Sequence, residues 1–89
     1  MKTSGYSPFP TRMKEARRLS GLSQKQLGLQ IGLDAFVAST RMNRYEKGVH
    51  FPDYGTARAI AAVLNVPTAY LFCEDDDLAL KILEWGKQQ

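Results

Sequence analysis

SQKQLGLQIGLDAFVASTRMNRYEKG, Ser23 to Gly48, is the stretch whose reading decides the fold. It opens on S-x-x-Q, in which Ser23 can accept from the Gln26 amide while the Gln26 side chain reaches back, the reciprocal cap that starts a helix. Leu27 and Ile31 then share one side at i and i+4, with Gly28 next to them. Gly28 costs about 1 kcal/mol of helix propensity against Ala, and the missing Cβ lets another helix approach closely. Gly32 supplies the left-handed conformation that ends the helix. Leu33 to Tyr45 forms the next unit, with Asp34 as its cap and Ala38, Met42 and Tyr45 as an inward stripe at i, i+4 and i+7. The opposite face then shows Ser39, Thr40, Arg41, Asn43 and Arg44, which are donors and acceptors with no acid.

The segments on either side read as supports. Pro10 or Thr11 opens the first helix, which runs through PTRMKEARRLS to the Gly21 stop. Met13, Ala16 and either Leu19 or Arg17 lie inward, leaving Arg12, Lys14 and Arg18 outward. After Gly48, Pro52 excludes helix for Phe51 and Asp53 caps a fourth helix, Tyr54 to Leu64, whose inward residues are Ala57, Ile60, Ala61 and Leu64. Asn65-Val66-Pro67 breaks it, and a short fifth helix supplies Tyr70, Leu71 and Phe72 to the core. The tail, EDDDLALKILEWGKQQ, reads as a sixth helix. Leu78, Ile82 and Trp85 line one face, Leu80 and Leu83 add a second apolar edge, and the acids sit at the favourable end of the helix dipole. Residues 1–9 form a lead-in rather than an arm for a minor groove, since Lys2 is their only basic residue.

Eighty-nine residues suffice for one core and not two. The chain is 44% hydrophobic and 24% charged, the balance of an ordinary globular domain, and no apolar run approaches the roughly 20 residues that span a bilayer. The first ten residues lack the apolar core of a secretory signal, so the cytoplasm is the expected compartment. Residues 1–73 carry ten Lys/Arg against four Asp/Glu, whereas residues 74–89 carry two against five. A basic body suits a partner with phosphates. Two short helices hinged at Gly32, the second displaying Arg41, Asn43, Arg44 and Lys47, form a layout that can push one helix into a DNA groove.

Catalytic and metal chemistry find no foothold in the residues. His50 is the only histidine and lies in a polar turn without an acid-base partner, and no phosphate-binding glycine loop occurs. Cys73 stands alone, so no internal disulfide or cysteine zinc site can form, and it is expected to be a small buried hydrophobe. The four acids from Glu74 to Asp77 lack the alternation and the glycine of a calcium loop, so capping and solvation account for them. No enzyme activity, cofactor or metal is expected.

R-x-L-x-G-L-S-Q-x-Q-L-G-x-x-I-G from Arg17 to Gly32, M-N-R-Y-E-K-G from Met42 to Gly48, the Pro-Asp helix start and L-N-V-P-x-x-Y-L together resemble the lambda-repressor and Cro-like (XRE-type) helix-turn-helix family. The resemblance covers about residues 10–73 and implies an all-α fold, a compact five-helix domain whose third helix lies in the major groove. It implies base contacts from Ser39, Thr40, Asn43 and Arg44 and a phosphate or base contact from Gln24. It also implies a partly buried salt bridge between Arg17 and Glu46, which accounts for an arginine on an apolar face. Chemistry agrees with these roles, because Arg can bond guanine O6 and N7 and Asn can pair with adenine N6 and N7. Lys25, Arg18, Arg41, Lys47 and Gln24 are cast as phosphate contacts.

Two departures from the family pattern stand out. Gly28 replaces the usual Ala, which keeps the position small. About four extra residues lie between Gly32 and Met42, so either the turn is longer or the recognition helix gains a turn at its N-terminal end. Asn43 and Arg44 are anchored by the downstream match.

The expected organisation is a lead-in at 1–9, a DNA-binding domain at 10–73 and a helical tail at 74–89. The expected function is that of a sequence-specific regulator of bacterial or phage type, a repressor in the cytoplasm at the nucleoid, bound as a homodimer to double-stranded DNA. The competing expectation is an antitoxin-like interaction module that holds a protein partner on the 74–89 tail.

Overall fold

The computed structural model describes residues 7–88, so the expectations for the first six residues, including an arm with Lys2, lie outside it. The described chain is all-α: α1 Phe9–Ser20, α2 Gln24–Gln30, α3 Ala35–Glu46, α4 Tyr54–Leu64, α5 Thr68–Leu71 and α6 Asp76–Lys87. None of these helices is long and apolar enough to cross a membrane. Helix α6 packs on α5, and its Ala79 belongs to the same buried cluster as residues of the other helices. Met13, Leu27, Met42, Ile60 and Leu71 sit fully buried at the centre.

Local signals place most helix ends. Ser23 Oγ accepts from the Gln26 amide at 3.0 Å and Gln26 Oε1 accepts from the Ser23 amide at 2.8 Å, closing the capping box. Asp53 and Asp75 cap α4 and α6 by accepting from the amides of Thr56 and Leu78. The Thr56 amide, and after it the Thr56 side chain, hold the Asp53 carboxyl below its ordinary range, against a small opposing effect of burial. The stripes read from α3 and α4 are buried as expected: Ala38, Met42 and Tyr45 in one, Ala57, Ile60, Ala61 and Leu64 in the other. Cys73 is buried too.

Three local expectations are corrected and one open alternative is resolved. First, α1 begins at Phe9, not at Pro10 or Thr11. Phe9 is only 1% exposed and its ring lies 5.5 Å from that of Phe72, so burial of an aromatic extends the helix back to the Pro8 cap. Phe72, expected in the core, is about half exposed and serves mainly as that partner.

Second, Arg12 does not face solvent with Lys14 and Arg18. It is 7% exposed, and its Nε donates to the Cys73 carbonyl at 2.8 Å. Its Nη2 donates to the Glu74 carbonyl at 3.1 Å and to Asp76 Oδ1 at 2.9 Å. The carbonyls after α5 lack helical partners, the Cys73 one at a buried residue, and Arg12 supplies donors from the far end of the chain. Its guanidinium also lies 5.7 Å from the centre of the Tyr70 ring, within cation-π range. Burial, with the Glu15 carboxylate adding to it, raises the Tyr70 phenol above its ordinary value, and Arg12 opposes the rise.

Third, of the two residues offered for the inner side of α1, Arg17 turns inward and Leu19 is 77% exposed. Last, the sequence puts Leu78, Ile82 and Trp85 on one apolar face of α6 and Leu80 and Leu83 on a second edge. The helix packs through the seam between them, so that only one residue of each, Ile82 and Leu83, meets the core. Ala79 is buried and Ile82, Leu83 and Gly86 are half-buried beside it, while Leu78, Leu80 and Trp85 face out. A Cβ on Gly86 would come within 2.8 Å of Pro67 Cγ. Small residues at Ala79 and Gly86 therefore let α6 close on its neighbours, and shape outweighs the larger side chains of Leu78, Leu80 and Trp85 on its two flanks.

Candidate nucleic-acid interface

The turn between α2 and α3 consists only of Ile31 to Asp34, with Gly32 at φ +93°. The extra residues therefore lengthen α3, which reaches back to Ala35 and is about 18 Å long at 1.5 Å per residue. Asp34 occupies the cap position in extended backbone, but its side chain accepts no cap hydrogen bond.

Helix α3 is held from behind by α2, its most extensive helical contact. The crossing point is Gly28, where an added Cβ would lie 2.7 Å from Ala38 Cβ and 2.9 Å from Ala38 Cα. No side chain fits between the two helices there, which is the close approach that the glycine compensates.

The C-terminal half of α3 is tied to α1 and α2 by one polar network. Arg17 donates through Nε to Glu46 Oε2 and through Nη2 to Glu46 Oε1 at 3.2 Å, while Nη1 donates to the Leu22 carbonyl at 3.0 Å. The Glu46 side chain is 3% exposed, so its charge is neutralised inside and the outer surface of α3 is left without it. Gln24 Nε2 donates to Glu46 Oε1 at 3.1 Å and to Asn43 Oδ1 at 3.2 Å. Gln24, Asn43, Arg17 and Glu46 are thus brought together. Every buried side-chain polar atom among the described residues has a partner.

The other residues implicated by the sequence are outside. Ser39, Thr40, Arg41 and Arg44 are exposed on α3, Lys25 on α2, Lys47 at the end of α3 and Arg18 on α1. Arg18 lines a surface groove with Lys14, Thr11 and Glu46, which places it along the flank of α3. Asn43 is half-buried, its oxygen held by Gln24 and its amide nitrogen without a described protein partner.

Three neighbours of this face, His50, Phe36 and Val37, were not assigned to it by the sequence. His50 Nε2 lies 3.4 Å from Arg44 Nη1, brought there by a turn in which the Val49 and His50 amides both donate to the Arg44 carbonyl. The sequence announces the turn but not that it folds His50 back onto Arg44. Phe36 and Val37 are also exposed and border a shallow depression with Thr40, Arg41 and Arg44. Their signal was legible, as Phe36 lies opposite the Ala38, Met42 and Tyr45 stripe. Among the described residues no cluster of His, Cys, Asp or Glu could hold a metal ion.

A helix-turn-helix family model matches residues 13–71. Among solved structures, the crystal structure of the transcriptional regulator BswR superposes with a TM-score of 0.85 at 50% identity, over 88% of this chain and 77% of that one. No curated protein matches the chain significantly. The family match takes in α2, α3 and the network that joins them, and the chain belongs to the lambda-repressor and Cro-like, XRE-type, helix-turn-helix family.

Proposed function

We propose that this chain is a sequence-specific DNA-binding transcription regulator that places α3 in the major groove and represses by occupying its operator. One observation carries this reading. Ser39, Thr40 and Arg44 are exposed on a helix whose inner side is locked by Gly28 and by the Arg17–Glu46–Gln24 network, and half-buried Asn43 beside them is held at its oxygen by that same Gln24. Base readout needs such fixed side chains, because a bidentate contact is worth about 1–3 kcal/mol only when its geometry is kept. The 50% identity to a protein described as a transcriptional regulator supports the regulatory role.

In this scheme Ser39, Thr40, Asn43 and Arg44 touch bases, and Lys25, Arg18, Arg41 and Lys47 touch phosphates. In the free protein the Gln24 amide nitrogen serves Asn43 and Glu46. Its first part is therefore to fix Asn43, and a phosphate contact would come at the expense of one of those bonds. No catalytic step or cofactor is involved. The protein works in the cytoplasm at the nucleoid as a homodimer, on half-sites about one helical turn apart. Exposed Leu80 on one edge of α6, or Leu78 and Trp85 on the other, offer the contact between copies. The same residues would serve an antitoxin-like module, and co-purification of a different chain would favour that second reading.

The test is a binding isotherm at two salt concentrations against duplexes selected from a random library. Affinity should fall with salt by a slope of about 0.9 per phosphate neutralised. Arg44→Ala should lower both affinity and base preference, and a variant that kept both would contradict the assignment. Sedimentation of the native chain and of Leu80→Glu reads the homodimer separately.

A further inference from the structure

Phe36 is 94% exposed, the most exposed large apolar residue among those described. A helix turns about 100° per residue, so Phe36 shares a stripe with Ser39, Thr40 and Asn43 at i+3, i+4 and i+7 and borders Arg44 at i+8. The buried Ala38, Met42 and Tyr45 lie on the other side. Phe36 therefore heads the row of residues assigned to base contact, in the turn that lengthens α3 at its N-terminal end. Thr40, Arg41 and Arg44 line one depression with it.

We propose that Phe36 reads thymine in the major groove by packing on its 5-methyl group, an inference that rests on α3 being the recognition helix. With α3 lying in the major groove, Phe36 faces the same side as the base-contact row, about 12 Å nearer its N-terminal end than Arg44, or some three to four base-pair steps. The major-groove edges of the bases are polar except for the thymine methyl, the one apolar group an aromatic side chain can cover there. Wedge insertion between bases, the other use of an exposed Phe, belongs to proteins that approach through the minor groove. Arg41 and Arg44 beside Phe36 match a phosphate-lined groove better than an apolar protein partner.

The experiment starts from a duplex selected by the native chain and replaces each thymine in turn with deoxyuridine, which removes only the methyl group. At one or two positions per half-site, binding should weaken about three- to fivefold per methyl. Phe36→Ala should bind the thymine duplex with the same loss and no longer distinguish thymine from uracil there, while Phe36→Leu retains part of the discrimination. Circular dichroism should show Phe36→Ala as folded as the native chain, since the side chain contributes nothing to the core. Uracil duplexes that bind as tightly as thymine ones, or a Phe36→Ala variant with undiminished discrimination, would overturn the inference and leave the DNA-binding function standing. A Phe36→Ala variant whose only change is a lower sedimentation mass would overturn it in favour of a contact between copies. Failure to select any duplex would instead overturn the function on which it rests.

Discussion

Arg17 and Glu46 face each other as a two-pronged pair, joining the last turn of α1 to the last residue of α3. The acid is almost wholly buried and the base nearly so. Breaking such a pair from one side leaves a charge without its partner, at a cost of about 3–5 kcal/mol. Arg17→Ala should therefore lower the denaturation midpoint strongly. Replacing both residues by apolar ones of similar volume should recover much of the loss. An unchanged midpoint in the single variant would mean that the pair contributes nothing.

Gly28 lies against Ala38 with no room for a methyl group. Gly28→Ala gains about 1 kcal/mol of helix propensity, but its Cβ meets backbone as well as side-chain atoms of Ala38 at 2.9 Å or less. Overpacking of this kind typically costs about 1–3 kcal/mol, so the net effect should be destabilising. Because the clash pushes α2 from α3, DNA affinity should fall as well. Thermal unfolding and a binding isotherm read the two effects, and a more stable variant would show that the helices can part cheaply.

Arg12 and Asp76 form an ion pair at 2.9 Å, yet the two should differ greatly on substitution. The Asp76 side chain is 90% exposed, so Asp76→Ala should cost at most about 1 kcal/mol. Arg12→Ala also strips the Cys73 and Glu74 carbonyls of their donor and should cost about 1.5–3 kcal/mol. Amide hydrogen exchange in α6 should accelerate in the second variant and not in the first.

The Asp53 carboxyl, which caps α4, titrates below its ordinary value of 3.8. A depressed folded-state value means that the cap stabilises the fold above the unfolded value, and that this contribution is lost as pH falls through the folded one. Asp53→Ala should flatten the acid limb of the stability profile while leaving its slope near neutrality unchanged. Denaturation midpoints of both chains across that range provide the comparison, and parallel profiles would contradict it.

Much of the domain follows from short-range chemistry. The Ser23–Gln26 box, the Asp53 cap, the Gly32 stop and the stripes of α3 and α4 are all encoded within a few residues of where they act, and each is found in place. The exposure of Ser39, Thr40 and Arg44 follows from the same periodicity. Three features have no local cause. Arg12 goes inward because carbonyls some sixty residues away need a donor. The face of α6 is chosen by the burial of Ala79 and the fit of Gly86 against Pro67 rather than by its largest apolar side chains.

The third concerns the stretch from Ser23 to Gly48. Its two ends were determined by the sequence, through the capping box at one and the Met42–Gly48 motif at the other. Only the tertiary structure decided that the residues between them lengthen α3 and leave the turn short. Helix propensity permits either outcome, but docking Ala38 on Gly28 sets where α3 must cross α2, and the turn is closed within four residues of α2. The surplus then extends the helix at its free end, carrying Phe36 out onto the face that meets DNA in the proposed function.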